Sequence, residues 1–246
     1  MEEGLTMTSS GNHLGLIASV IEATDEADLL KRMQAAAVAS GFEHVLFGIE
    51  LRRPFLDPIQ HITSGYPDSY QEIYRTKGFI SRDPSVAYCQ THTKPLIWGE
   101  DMYLADSYEI MEESTKYGLS HGFSVPVRDG PHVVSMLSLA RDKPFESAAE
   151  KKLVVDAGMV LANCVHVASK NIIVPDVETT LRPKLSRREH ECLKWIAEGK
   201  SNGVISDLLK ISEPTVEFHI RNLFTKLNVA TRVQAAVVGV LMGLIV

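Results

Sequence analysis

The sequence predicts an α+β fold in two parts: an antiparallel sheet with helices packed on it, followed by an all-α domain of four helices that contains a helix-turn-helix. A chain of 246 residues, 45% of them hydrophobic, is long and apolar enough to fill two cores. In the first part the predicted strands follow one another without a regular alternation with helices, which favours antiparallel pairing. In the last part, serine caps recur at the short intervals that separate the helices of a helix-turn-helix.

The elements of the first part, residues 1–169, are predicted from hydrophobic periodicity. The first predicted helix, for example, places Leu29, Met33 and Ala36 on one face. Residues 170–184 contain two prolines and no amphipathic period, so they are interpreted as an interdomain linker. Helices are predicted at 25–40, 66–77, 83–91, 105–117 and 146–169, and strands at 45–51, 59–64, 95–98, 123–127 and 133–141.

Residues 185–246 form the predicted helix-turn-helix domain. Ser186, with Glu189 three residues later, is a capping box that starts the first helix, and Gly199 ends that helix. Ser201 caps a second helix, and Ser212 caps a third after a three-residue turn. The residues that the second helix is expected to bury are Val204, Ile205, Leu208 and Leu209.

The third helix of this domain has one apolar face and one polar face. Apolar residues fall at i, i+4, i+7 and i+11 from Val216 to Leu227, which gives one buried stripe. A helix of this kind, with a partner helix across a tight turn, is typical of a recognition helix that lies in the major groove of DNA. Its polar face carries the predicted DNA-binding residues Thr215, Glu217, Phe218, Arg221, Asn222 and Lys226.

Glu217 and Arg221 lie one turn apart, so both can enter the groove together. The carboxylate can accept from the N4 amino group of cytosine, and the guanidinium can bind O6 and N7 of guanine. The two side chains can equally pair with each other within the helix. Both alternatives are compatible with the sequence.

Charge is distributed unevenly along the chain. The whole chain has 25 basic and 31 acidic residues, a net charge of −6, whereas residues 182–246 carry ten basic and six acidic residues, a net charge of +4. A positive domain on an acidic body suits a phosphate-binding module attached to a domain with another function. A surplus of four charges is by itself also compatible with ordinary variation.

Several functional classes lack their sequence signals. The first 13 residues are polar, so no secretory signal is predicted, and the apolar stretch 233–246 is interpreted as a packed helix capped by Thr231. Cys89, Cys164 and Cys192 lack metal-ligand spacing and are interpreted as reduced structural cysteines of a cytoplasmic protein. The motifs G-x-S-x-G, P-loop, G-x-G-x-x-G and H-E-x-x-H are absent from the sequence, so an enzyme is not expected.

An aromatic cluster in the first domain is a candidate small-molecule site. Tyr66, Tyr70 and Tyr74 recur every four residues and share one helix face, and Trp98 could join them around a mostly apolar pocket with a few polar groups. The same rings could instead fill a core, with their polar tips bonded to the backbone. Asp83 precedes a proline and could equally be the N-cap of a helix.

Motifs at both ends of the chain point to one family. The C-terminal part contains L-S-x-R-E-x-E-x-L, A-x-G-K-S-N, I-S-x-x-T-V-x-F-H and K-L-N, which phosphate-triggered response regulators share. The N-terminal part contains Tyr66-Pro67, Tyr74, Asp83-Pro84, Pro95-Leu-Ile-Trp98, His121-Gly122-Phe-Ser-Val-Pro126 and Leu137-Ser-Leu139. In these motifs the chain resembles the LuxR family of acyl-homoserine lactone receptors along nearly its whole length. The resemblance implies an α-β-α sandwich with the ligand between the sheet and helices, and a homodimer.

The resemblance also implies roles for individual residues. Asp83 matches the carboxylate that accepts the ligand's amide N–H. Tyr66 and Ser138 match hydroxyls that bind the carbonyl of the acyl amide. Trp98 and Tyr74 match aromatic residues that wall the pocket around the lactone and the acyl chain.

Three further positions matter for the comparison. Gly122 matches a glycine where a side chain would crowd the site. Tyr70 departs from the family, which usually has a tryptophan there whose indole N–H donates to the lactone carbonyl; a tyrosine O–H can also donate, but its reach differs. Glu217 departs as well, because relatives often have Lys or Arg at that position.

The resemblance thus predicts a transcriptional regulator that binds an acyl-homoserine lactone autoinducer and, as a homodimer, an inverted-repeat site in double-stranded DNA. No cofactor, metal or membrane partner is expected. The alternative is a helix-turn-helix regulator that responds to a different small molecule or acts without a ligand, and Tyr70 keeps that alternative open.

Overall fold

The computed structural model describes residues 13–53, 56–104, 106–130, 132–173 and 183–245. These residues fall into two compact units, one built mainly from residues before 174 and the other mainly from residues after 182. The helix that ends the first unit continues to Ile172, three residues into the predicted linker. Residues 174–182 of that linker lie outside the described residues, so its boundaries remain predictions.

The predicted elements of the first unit are all present, with ends shifted by three residues or fewer. A helix at residues 13–19, continued by a 3₁₀ turn at Val20–Glu22, is additional to the prediction. The helices are α1 (13–19), α2 (Glu26–Ala39), α3 (Asp68–Thr76), α4 (Pro84–Cys89), α5 (Tyr108–Thr115) and α6 (Ala148–Ile172), and the strands are β1 (His44–Arg53), β2 (Leu56–Ser64), β3 (Leu96–Ile97), β4 (His121–Asp129) and β5 (Val133–Arg141).

The five strands form one sheet in the order β2-β1-β5-β4-β3, and the pairs β1–β5, β4–β5 and β3–β4 are antiparallel. Because side chains alternate between the two faces of a strand, Phe47 and Leu137 lie on one face of the sheet, and Leu46 and Ser138 lie on the other. The register thus separates a core face from a second face that is available to a ligand. This confirms the predicted antiparallel sheet.

Helices cover both faces of the sheet, as the α-β-α prediction requires. On one face α2 and α6 pack together, and Gly158 of α6 lies so close to the sheet that an added Cβ would be 2.5 Å from the ring of Phe123. By length and composition α6 could cross a bilayer, but a core helix of a soluble protein passes the same test, and this one packs on β4 and β5. On the other face α4 packs on β4 and β5.

The second unit consists of four helices: α7 (Arg187–Ala197), α8 (Asn202–Leu209), α9 (Glu213–Leu227) and α10 (Arg232–Leu241). The predicted caps are confirmed, since Ser186 forms the capping box with Glu189 and hydroxyls cap the other three helices. The residues that supply those three caps are Ser201, Ser212 and Thr231.

The prediction for the buried face of α8 is half wrong. Ile205 is buried and Leu209 is partly buried, but Val204 and Leu208 are 43% and 46% exposed. In this short helix, Ile205 and Leu209 stack one above the other against the core that α9 completes, whereas Val204 and Leu208 point about 100° away from them. A helix of two turns whose main neighbour is α9 buries a single stripe and not a wide face.

A buried carboxylate joins α7 to α9. Glu189 is only 4% exposed and accepts hydrogen bonds from the backbone N–H of Ser186 at 2.6 Å and from Lys226 Nζ at 2.7 Å. Burial raises the pKa of Glu189, but these donors outweigh burial and hold the pKa below its usual value. Lys226 also donates to the carbonyl of Lys184 at 3.1 Å. The pair therefore holds helices of the second unit together.

Candidate ligand-binding and DNA-binding sites

A cavity of about 580 Å³ lies in the first unit between the second face of the sheet and α3, α4 and α5. That volume is within the usual range for small-molecule sites, and the walls are mostly apolar. The sequence left open whether the aromatic cluster lines a pocket or fills a core. In the structure, the rings pack against one another and also surround the cavity. Six of the seven predicted ligand-binding residues line it: Tyr66, Tyr70, Tyr74, Asp83, Trp98 and Ser138.

Asp83 is both a helix cap and a cavity residue. Its Oδ1 accepts the backbone N–H of Ser85 at 2.8 Å and the Ser85 hydroxyl at 2.7 Å, so it caps α4. Its Oδ2 accepts the hydroxyl of Tyr74 at 2.9 Å. An ionised carboxylate has about four lone-pair positions for hydrogen bonds. Three are used by these neighbours, and Oδ2 can still accept one more donor from the cavity.

Two tyrosine hydroxyls at the cavity are available as donors. The Tyr66 hydroxyl is fully buried and makes no hydrogen bond of normal geometry in the described part of the chain, although Ser138 lies close to it. Tyr70 is 4% exposed, and no described residue bonds to its hydroxyl. Burial, together with the negative charge of Asp83, raises the pKa of both tyrosines well above the usual value. Both phenols therefore stay protonated at neutral pH and can donate.

The Trp98 ring forms part of the cavity wall, but its indole N–H is already bonded and is not available to a ligand. Its indole Nε1 donates to the Ser124 hydroxyl at 2.9 Å, and Ser124 Oγ lies 2.8 Å from Ser138 Oγ. An indole has only this one donor. The Trp98–Ser124–Ser138 chain thus fixes the Trp98 ring and orients the Ser138 hydroxyl on β5, near Tyr66.

Gly122 lies beside the cavity but does not line it. A Cβ at this position would be 2.2 Å from the carbonyl oxygen of Leu139 and 2.9 Å from the ring of Trp98. The glycine therefore lets the Trp98 ring lie directly on β4, whose Gly122 carbonyl accepts the Trp98 backbone N–H at 2.9 Å. Gly122 therefore positions Trp98 against the sheet.

Sequence reasoning missed several residues around the cavity. Tyr103, after a 3₁₀ turn, lines it, and its pKa is raised by burial and by Asp83. Ser85 and Ser124 anchor Asp83 and Trp98, and Cys89 also lines the wall with a thiol pKa that burial raises to about 12. No local pattern marks these residues, because their proximity arises only when β4, β5 and α4 come together. Among the described residues, no group of three or more His, Cys, Asp or Glu side chains is placed to hold a metal ion.

The predicted DNA-binding face is largely exposed on α9. Thr215, Glu217 and Arg221 are exposed, and Phe218 is 57% exposed. Arg221 Nη2 donates to Glu217 Oε1 at 3.2 Å, so the two side chains are paired within the helix. Asn222 is half-buried, and the ammonium of Lys226 is directed to Glu189 instead of to the exposed face. The DNA-binding roles of these residues remain predictions.

Two family models match the chain in succession. The "Autoinducer binding domain" matches residues 25–169, which is more than half of the chain, and "Bacterial regulatory proteins, luxR family" matches residues 183–238. The chain belongs to the LuxR family of transcriptional regulators. This LuxR-family protein therefore contains an autoinducer-binding domain and a DNA-binding helix-turn-helix domain, and it is a quorum-sensing regulator and not an enzyme.

Relatives match this LuxR-family chain along most of their length. The transcriptional activator protein AnoR of Acinetobacter nosocomialis is 30% identical over 232 residues, covering 94% of this chain and 97% of AnoR. The transcriptional activator protein LuxR of Aliivibrio fischeri is 31% identical over 212 residues, covering 82% of each chain. Crystalline SdiA of Escherichia coli has a TM-score of 0.78 at 22% identity, covering 96% of this chain and 98% of SdiA. SdiA in complex with octanoyl-rac-glycerol has a TM-score of 0.74 at 21% identity, covering 98% and 97%. The structural likeness supports the fold.

Proposed function

We propose that the ligand of this regulator is an N-acyl-homoserine lactone bound in the cavity, and that the protein acts in the cytoplasm as a homodimer on an inverted-repeat DNA site. One observation carries the ligand assignment: the cavity presents one remaining acceptor position on Asp83 and two tyrosine O–H donors, on Tyr66 and Tyr70. No cofactor is needed for this function.

An acyl-homoserine lactone matches this set of groups one for one. It has one amide N–H, which Asp83 Oδ2 can accept, and two carbonyl oxygens. The amide carbonyl can accept from Tyr66 beside Ser138, and the lactone carbonyl can accept from Tyr70. Each bond relieves the cost of a buried polar group without a partner, which is roughly 1–3 kcal/mol. The apolar remainder of the cavity then holds the acyl chain.

A different small molecule is the second candidate, and one observation favours it. SdiA, whose fold this chain shares, has a solved structure in complex with octanoyl-rac-glycerol, a molecule without an amide N–H. A glycerol hydroxyl could donate to Asp83 in place of the amide. Action without any ligand is less favoured, because it would leave the buried Tyr66 hydroxyl without a partner among the described residues.

Mass spectrometry of small molecules extracted from the purified full chain tests the ligand directly. Thermal denaturation with a panel of lactones and with a monoacylglycerol gives the second measurement, because a specific ligand stabilises by RT ln(1 + [L]/Kd). Stabilisation by a lactone at low concentration supports the proposal. A silent lactone panel, with stabilisation by the glyceride or by an extracted molecule of another class, supports the second candidate instead.

Tyr70 is expected to determine specificity for the lactone head. Tyr70→Phe removes one hydroxyl donor and should weaken lactone binding by about 1 kcal/mol or more. Tyr70→Trp should change the order of preference among acyl groups. Tyr117→Phe is a matched control, because Tyr117 packs against Tyr70 with ring centroids 5.7 Å apart and ring planes tilted by 49°, but it does not line the cavity. Unchanged ranking and affinity in both Tyr70 variants would show that Tyr70 does not bond to the ligand.

Exposed apolar stripes on two helices support the homodimer. On α6, Leu153, Val160 and Val167 are exposed at seven-residue intervals, which is the spacing of a helix–helix seam. On α10, Val233 and Val240 are exposed at the same interval. A two-fold dimer would cover both stripes and read half-sites about one helical turn apart. Sedimentation of the full chain with ligand and DNA that finds one protomer per site would exclude this arrangement.

The Glu217–Arg221 pair is expected to govern DNA selectivity. Glu217→Lys should tighten binding to random DNA, steepen its salt dependence and relax the preference at one base pair per half-site. Arg221→Ala should cost about 1–3 kcal/mol on the cognate site and much less on random DNA. Binding is measured on an operator library and on random duplexes at several salt concentrations.

Glu198→Lys is the control for that experiment, because it makes the same charge change at an exposed residue after α7. The control should alter non-specific affinity without altering base preference. If Glu217→Lys keeps every operator preference of the parent, then Glu217 does not contribute to base reading.

A further inference from the structure

The cavity has a second polar end that the proposed lactone head does not use. Leu46, Gly48 and Glu50 of β1 share one face because strand side chains alternate, and all three line the cavity. Their partners on β5 are Ser138, Met136 and Val134, respectively. Along the floor of the cavity, the polar group of Ser138 is thus followed by an apolar row at Gly48 and Met136, and then by the carboxylate of Glu50.

Glu50 is held in place from two sides. Its Oε2 accepts hydrogen bonds from Gln60 Nε2 at 2.9 Å and from Gln90 Nε2 at 3.1 Å, and both glutamines line the cavity. Gln60 belongs to β2, and Gln90 is the residue that ends α4. The half-buried carboxylate is therefore fixed between the sheet and the helix layer.

The helix α4 links the two carboxylates of the cavity. Asp83 caps its N-terminus, and Gln90 at its C-terminus binds Glu50. Seven residues of helix span about 10 Å, and the four-residue step from Leu46 to Glu50 along β1 spans about 13 Å. An acyl group of about that length, with its amide at Asp83, would end in the region of Glu50.

We infer that the cavity selects an acyl group that carries a hydroxyl at its far end, aliphatic or phenolic, which donates to Glu50; this inference rests on the proposed function. A plain alkyl end would lie against the half-buried carboxylate without offering it a donor, and covering a charged group with apolar atoms costs affinity. A terminal hydroxyl supplies the donor. Sites built to bond a hydroxyl discriminate strongly against analogues that lack it.

Calorimetric titration of the full chain with two series of acyl-homoserine lactones tests this inference. The series share a range of chain lengths, and one ends in a methyl group and the other in a hydroxyl. The parent should bind its best hydroxyl-ended lactone roughly tenfold more tightly than the methyl-ended lactone of equal length. Glu50→Leu should reverse that preference, and Glu50→Gln should keep part of it.

Glu72→Gln is the matched control, because Glu72 is another carboxylate at the cavity, but it is exposed and belongs to α3 instead of the floor strand β1. It should leave the preference unchanged. The inference is overturned if the parent binds methyl-ended lactones at least as tightly, or if the hydroxyl preference survives in Glu50→Leu. If Glu50→Leu does not fold, the parent's own preference still decides. Failure of both series to bind would instead refute the lactone assignment itself.

Discussion

Asp83→Asn is expected to abolish the response to ligand without unfolding the protein. The single oxygen of an asparagine can keep the cap on α4 by accepting from Ser85, which turns the NH₂ group toward Tyr74 and the cavity. A ligand N–H would then face another donor instead of a carboxylate oxygen. The loss of a charge-assisted acceptor should cost about 1.5–3 kcal/mol, or roughly 10- to 150-fold in Kd.

Asp25→Asn is the control for this variant. Asp25 caps α2 in the same manner, by accepting the N–H of Asp28 at 2.9 Å, but it does not line the cavity. Both variants should have similar melting temperatures without ligand, and only Asp83→Asn should lose lactone binding and reporter activation. An Asp83→Asn protein that binds and responds like the parent would reduce Asp83 to a helix cap.

Lys226→Met is expected to destabilise the second unit by about 2–3 kcal/mol. It removes the ammonium group from the buried carboxylate of Glu189 and leaves that carboxylate with the neutral donors of Ser186. Breaking a fully buried ion pair costs about 3–5 kcal/mol, and the value is reduced here because the Lys226 side chain is 39% exposed. Hydrogen exchange of the amides of α7 and α9 in the full chain without DNA measures this loss separately from any effect on DNA binding.

Arg188→Met is the control, because it breaks an exposed ion pair with Glu191 in the same unit and should cost less than about 1 kcal/mol. The pH dependence gives a second test. Since the pKa of Glu189 is held below its usual value, its contribution to stability is present above the usual carboxyl pKa and is lost as the pH falls through the lowered pKa. Without Lys226, that loss should begin at a higher pH. Equal stability of Lys226→Met and Arg188→Met would contradict the role of the pair.

The helix-turn-helix unit could be predicted closely because its signals are local. Each helix has a hydroxyl cap within one turn of its start, and such bonds depend on neighbouring residues in the sequence. The exposure of Val204 and Leu208 could not be predicted, because the burial of a helix residue depends on how many other helices pack around it. The helix at residues 13–19 was not predicted, because its apolar pattern is short and directly follows a polar N-terminal sequence.

The ligand cavity could be predicted only in part. Family motifs pointed to Asp83 and Trp98, but the sequence could not show that Asp83 caps a helix and lines the cavity at once. The sequence also could not show that the Trp98 N–H donates to Ser124, or that Glu50 faces the cavity. Both contacts depend on strand register and on the placement of α4. Register brings together residues far apart in the chain, and a single sequence does not reveal it.

The ion pair between Glu217 and Arg221 has a consequence for how quickly the regulator finds its operator. A guanidinium already neutralised by a carboxylate one turn away attracts DNA phosphates weakly, so the dwell time on each wrong site is short. A genome offers about 10⁶–10⁹ such sites, and brief visits to each of them shorten the search. We expect Arg221 to leave Glu217 mainly where a guanine presents O6 and N7 together. On the proposed DNA-binding role, we therefore expect Glu217 to weaken binding to random DNA.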